Sequence, residues 1–229
     1  MKKIIKYLFL LTGGSFILAS CNDFLDREPL DSVTPDNFFF TENDLAAYAV
    51  KHYNFTTHEG FNAGIWRNDN ATDNQAATDY DKKWIPGQWK VPEAYDNPAS
   101  NDPWYFSAIR EANYFLETVV PRFEKGEIEG SETNIKHYIG EMYFLRAKNY
   151  LSKLETFGDF PIIKNTLPDE SVSLIQASKR EPRHKVARFI LEDLDLAIGL
   201  LTNTISGGKN RITQNAALLL KSRAALYEA

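Results

Sequence analysis

The chain has 229 residues, 43% of them hydrophobic and 13% aromatic, and carries a formal charge of −5. That is enough apolar material for one domain with a sizeable core. An acidic chain without a basic stripe excludes nucleic acid, whose phosphates need clustered lysine and arginine. The whole-chain charge favours neutral or cationic partners. The single cysteine, Cys21, excludes an internal disulfide.

Residues 1–20 have the order of a secretory signal: Lys2, Lys3 and Lys6, then an apolar run from Tyr7 to Leu18, then the small Ala19 and Ser20. Thr12, Gly13, Gly14 and Ser15 interrupt the run, which is too short for the roughly 20 apolar residues of a spanning helix. Leu18-Ala19-Ser20-Cys21 resembles the bacterial lipobox, in which the cysteine is acylated and becomes the first mature residue. Several acyl chains at about 0.8 kcal/mol per buried methylene exceed the two-signal threshold for stable membrane anchoring. Cleavage before Cys21 removes three lysines and no acid, so the formal charge moves from −5 to −8.

Residues 21–37, acidic and broken by Pro29 and Pro35, read as a lipidated tether and first docking segment, with Thr34-Pro35-Asp36 as a helix start. The body begins at residue 38. Thr41 and Asp44 form a capping-box pattern ahead of Leu45, Tyr48 and Ala49, which predicts a helix over about 42–54. Residues 56–103 lack periodicity and are rich in Asn, Asp, Pro and scattered aromatics. A polar stretch of this length inside a domain is uncommon and usually functional, and its aromatics argue against disorder. It reads as an ordered, loop-rich insert.

Helical repeats fill 104–229. Trp104, Ile109, Ala112, Leu116 and Val119 share a face, and Pro121 is expected to end that helix. A longer helix is predicted from about Glu132 to Phe157, closed by Gly158-Asp159-Phe160-Pro161. A loop follows to Arg183. The next helix carries Val186, Phe189, Ile190, Leu194, Ile198 and Leu201 and is closed by Gly207-Gly208, and the last begins near Thr213 with Ala217, Leu220, Ala224 and Tyr227 on its apolar face. That last helix has no stop signal, so the sequence is expected to be the front part of a longer protein. The predicted fold class is all-α, built of tetratricopeptide-like helix pairs that must stack to bury their faces.

Several stretches resemble the SusD/RagB-like outer-membrane nutrient-binding lipoproteins of Bacteroidetes. Cys21-Asn22-Asp23-Phe24-Leu25-Asp26 is similar to the family's opening C-x-D-F-L-D. Trp104 through Asn113 resembles its W-x-x-x-Y/F-x-x-I-x-x-A-N helix. Gly140-Glu141-Met142-Tyr143-Phe144-Leu145-Arg146-Ala147, followed by Phe157-Gly158-Asp159-Phe160-Pro161, resembles its G-E-A-x-F-L-R-A and F-G-D-x-P block. Arg211-Ile212-Thr213 through Tyr227 resembles the G-R-x-T helix, and Met142 stands where the family has alanine. The resemblance implies an incomplete SusD-like fold, lipid-anchored in the outer membrane and exposed at the cell surface. It also implies binding of an oligosaccharide or other nutrient for a TonB-dependent, SusC-like transporter.

Sugar binding needs flat apolar faces for pyranose rings and amides or carboxylates for hydroxyls. The insert supplies both. Trp84, Trp89 and Tyr95 are the leading candidates for ligand contact, with Trp66 and Tyr80 beside them and Asn101 and Asp102 as hydroxyl partners. Some of these rings could instead plug the scaffold. Trp104, Asn113, Glu141 and Arg146 sit among apolar helical neighbours and read as structural, Glu141 and Arg146 through buried pairing and loop capping. Asn68, Asn70, Thr72, Asn74 and Asp79 have near-alternate oxygen ligands, but Asp73 stands where a calcium loop requires glycine. No metal, cofactor or catalytic residue is predicted. A glycoside hydrolase would need two carboxylates across a sugar, and no pair stands out. A purely structural lipoprotein is the other alternative.

Overall fold

The computed structural model describes residues 38–53, 55, 85–87, 90–94, 102–204 and 210–229. Within these the chain forms helices α1 (Glu42–Lys51), α2 (Ser107–Lys125), α3 (Glu132–Phe157), α4 (Ser171–Ala177), α5 (Arg183–Leu200) and α6 (Gln214–Glu228). No strand forms among the described residues, and no described helix is long and apolar enough to cross a membrane.

Helix α3 is central and packs against α1, α2 and α5, while α6 packs mainly on α5. Its buried residues surround the helix, from Ile135 and Tyr138 through Met142, Phe144, Leu145, Tyr150 and Leu154. An element apolar on all sides belongs in the middle of a core. Two of the packed pairs, α2/α3 and α5/α6, are antiparallel. Trp104, just before α2, meets Phe157 at the end of α3, and Phe123 near the end of α2 lies by Lys136 near the start of α3. Asp195 on α5 pairs with Lys221 on α6, and Arg183 pairs with Glu228 at the far ends. The helix-pair expectation is therefore met by α2/α3 and α5/α6.

Gly140 sets the spacing of α3 and α5. A Cβ there would lie 3.0 Å from both Leu200 Cβ and Leu201 Cγ. Only a residue without a side chain lets the backbones approach this closely.

The capping box at α1 forms as expected: Asp44 N–H donates to Thr41 Oγ1 at 3.3 Å, and Thr41 N–H donates to Asp44 Oδ2 at 2.9 Å. The preceding Phe39 has φ 71, a strained conformation for a bulky residue. Burial of its ring against Tyr48 and Phe115 offsets that strain. Glu42 reaches across the fold, its Oε2 accepting from Ser131 N–H at 2.7 Å where α3 starts. Ser131 supplies no side-chain cap of its own, so a carboxylate from α1 satisfies one of the orphan donors.

Four boundaries differ from the sequence reading. Helix α1 ends at Lys51 with His52 as its cap, because Tyr53 turns inward to hydrogen-bond Glu141. Helix α2 runs through Pro121 and stops at Gly126, which is left-handed at φ 72. Tertiary contacts hold that last turn: Arg122 donates to Phe38 O at 2.8 Å and its guanidinium lies 4.3 Å from the Phe40 ring centre. The loop before Arg183 contains α4, a helix of 7 residues with no buried residue, too short for a helical period to reveal it. Helix α5 closes at Leu200, well before Gly207 and Gly208, and Tyr227 proves largely exposed on α6.

Candidate functional site

Two buried polar networks cross the core. Arg146 on α3 donates from Nε and Nη2 to the two oxygens of Asp193 on α5, both at 2.7 Å. Its Nη1 donates to Asn113 Oδ1 at 2.9 Å and to Lys164 O at 3.3 Å. Burial pushes the Asp193 carboxyl up and the Arg146 guanidinium pulls it back. Asn113 uses its Nδ2 on Ile163 O at 2.8 Å and Asn165 O at 3.3 Å. The Tyr150 hydroxyl accepts from Ile163 N–H at 2.8 Å and donates to Ile163 O at 3.1 Å. Burial pushes that phenol up to about 12, so the hydroxyl remains a donor at neutral pH. Together these side chains fix the irregular segment 161–165 from beneath.

In the second network Glu141, fully buried, accepts from Tyr53 OH at 2.7 Å and from Arg211 Nε at 2.9 Å and Nη2 at 2.5 Å. His137 lies one turn away, its Nδ1 facing Thr202. Tyr53, where the insert departs, is thereby tied to the segment leading into α6. The reading of Glu141 and Arg146 as buried pairing and loop capping matches this geometry.

The fixed segment forms one wall of a cleft of about 330 Å³. Ile109, Arg110 and Asn113 on α2 form the facing wall, Trp104 and Phe106 one end, and Leu174 and Ser178 of the α4 strap the cover. The Trp104 and Phe106 rings pack into an aromatic cluster with Phe157 and Phe160. Trp104 packs on Phe157 and Phe160 with centroids 4.1 and 5.6 Å apart, and Phe106 stacks on Phe160 at 5.1 Å. Trp104 Nε1 donates to Pro92 O at 2.8 Å, which brings a described part of the insert to this end of the bundle. The lining includes no carboxylate, histidine or cysteine among the described residues. What it offers is an apolar surface with amide, hydroxyl and guanidinium groups at fixed positions, an inventory suited to holding a ligand. No group of acidic, histidine or cysteine side chains that could hold a metal occurs among the described residues.

Of the predicted site residues, Trp66, Tyr80, Trp84, Trp89, Tyr95 and Asn101 lie outside the described residues, as does Cys21. The incomplete calcium pattern at 68–79 lies outside them too. Asp102 is described and buried, 4% exposed. Its Oδ1 accepts from Trp104 N–H at 2.8 Å and its main-chain oxygen from Tyr105 N–H at 3.0 Å. Its carboxylate therefore shapes the turn that delivers Trp104. The cleft residues Phe106, Arg110, Asn165 and Leu174 went unnoticed in the sequence. Phe106 and Arg110, four apart at the head of a helix ending an aromatic-rich insert, were the available signal.

Fold and cleft define a class: among the described residues, an all-helical scaffold with antiparallel pairs and an aromatic-walled cleft. The chain belongs to the SusD-like family. Residues 23–226 match its family model, described as starch-binding and associating with the outer membrane. Two SusD-like proteins of Formosa agariphila are similar, P2 at 26% identity over 193 residues and P38 at 27% over 206. These alignments cover 82% and 86% of this chain but 36% and 37% of the relatives. The crystal structure of a SusD-like protein from Bacteroides fragilis superposes with a TM-score of 0.62 at 24% identity, covering 88% of this chain and 38% of that one. That likeness establishes the shared fold. The chain spans little more than a third of the length of the relatives it matches.

Proposed function

We propose that the protein binds a glycan at the bacterial surface, without cleaving it, and passes it to a TonB-dependent, SusC-like transporter in the outer membrane. The observation that carries this reading is the aromatic cluster at one end of the cleft, hydrogen-bonded to the insert through Trp104 and Pro92. The family's starch-binding description supports it. Pyranose rings bury C–H faces against flat apolar walls and leave hydroxyls to amides at the rim. Trp84, Trp89 and Tyr95 of the insert are the leading candidates for ligand contact, with Trp66, Tyr80 and Asn101 as further candidates, and Asp102 holds the turn before Trp104. Acylated Cys21 keeps the protein at the membrane beside its transporter.

Affinity electrophoresis against a panel of polysaccharides tests the binding. Retardation by at least one polymer, weakened by Trp84→Ala or Trp89→Ala, supports the reading. Retardation untouched by either substitution removes the aromatic assignment, and release of reducing ends identifies a hydrolase. Purification from detergent-solubilised membranes tests the transport step: a large barrel protein should accompany the chain, and its absence sinks the partnership.

A further inference from the structure

The chain is acidic overall, yet the charged side chains at this cleft are cationic. Arg110 lines it and is exposed, and no hydrogen bond or ion pair engages its side chain among the described residues. Arg180, also exposed, places its guanidinium 4.9 Å from the ring centre of Trp104, which forms the end wall, and pairs with no described carboxylate. Four acids close in sequence are engaged elsewhere, and the exposed Asp169 and Glu170, between Leu167 and Leu174, are not part of the lining. Glu111 faces His52 at 3.1 Å and accepts from Ser107, and Glu181 pairs with Lys185 at 2.8 Å. Asp159 accepts from Arg183 N–H at 2.7 Å, and Glu117 accepts from the N–H and hydroxyl of Thr166. The first turn of α2, which carries the Phe106 end of the cleft, holds no acidic side chain.

An arginine held over an aromatic face keeps its fork available, and its planar donors match carboxylate and sulfate oxygens. We propose that this cleft selects an acidic sugar, carrying a carboxylate or a sulfate, over its neutral counterpart. The sugar ring lies on Trp104, Phe106 and Ile109, and the anionic group meets Arg110 with Arg180 closing from the rim. This reverses the expectation of a neutral or cationic partner drawn from the whole-chain charge, because the local field and not the net charge meets the ligand. The proposal rests on the glycan-binding reading and adds the chemical class of glycan.

Matched polymers test it: dextran against dextran sulfate, and fully methyl-esterified against de-esterified polygalacturonate, each cast into native gels. The sulfate and carboxylate arms separate the two anion types. The expected result is that at least one charged polymer retards the protein at tenfold lower concentration than its neutral partner. Arg110→Gln and Arg180→Gln should each weaken that retention about five- to tenfold, while Lys125→Gln and Arg188→Gln, exposed cations not lining the cleft, leave it unchanged. Equal retention by neutral and charged partners overturns the selectivity and leaves glycan binding intact. So does an equal loss in the control variants, which would mark diffuse surface attraction. Retention by no polymer, including the wider polysaccharide panel, overturns both readings.

Discussion

Arg146→Met is the most demanding test of how the cleft wall is held. The substitution keeps an unbranched apolar stem but removes the donors to both oxygens of Asp193, which is 2% exposed, and to Asn113 Oδ1. Stranding a buried carboxylate costs about 3–5 kcal/mol, and the orphaned amide oxygen adds about 1 kcal/mol. The expected loss is therefore about 4–6 kcal/mol, a large part of the 5–15 kcal/mol typical of a domain. In urea, with a slope of about 2 kcal/mol per molar, the midpoint should fall by about 2–3 M at unchanged slope. Adding Asp193→Leu removes the stranded charge, and the double variant should recover to within about 1–2 kcal/mol of the parent. A single-variant loss below 1 kcal/mol, or no recovery in the double, would refute the claim that this network is buried and coupled.

Gly140→Ala should destabilise the protein by about 1–2 kcal/mol in the same assay. The new methyl meets α5 at 3.0 Å, and overpacking of 1–3 kcal/mol outweighs the ~1 kcal/mol gain in helix propensity; a stabilised variant would show that the two helices can separate freely. His52 supplies a pH test. Its Nδ1 faces Glu111, its buried Nε2 has no hydrogen-bond partner among the described residues, and burial lowers its pKa below the ordinary 6.5 against the opposing pull of Glu111. The unfolded chain then binds the proton more readily than the folded one, so stability should fall as pH drops from 6.5 toward the lowered folded value. His52→Gln should flatten that part of the profile in urea titrations between pH 5 and 7, whereas an unchanged slope would assign it to other groups.

Helix α3 was legible to the residue, because Glu132 to Phe157 is an unbroken helical run closed by a glycine at φ 71. The capping box at Thr41 was equally readable, since its signal is local. Pro121 misled because proline's penalty is local, whereas the contacts of Arg122 with Phe38 and Phe40 come from far along the chain. Helix α4 was invisible because its 7 residues are too few for a helical period to be told from a loop. The motif residues Arg146 and Glu141 could be read as buried and paired, but their partners Asp193 and Arg211 could not, because pairing across 47 and 70 residues depends on how α3 meets α5 and the segment before α6. The cleft escaped for the same reason: its walls come from α2, the 161–167 segment and α4, which only the folded chain brings together.

The central claim is that the protein holds a glycan and leaves it intact. Calorimetric titration with oligosaccharides from a retarding polysaccharide, followed by chain-length analysis of the recovered sugar, tests it most directly. Saturable binding with unchanged chain length is expected, weakened at least tenfold by Leu174→Trp, which fills the cleft from a half-exposed position on its cover. Shortened oligosaccharides, or no saturable heat with any of them, would contradict it.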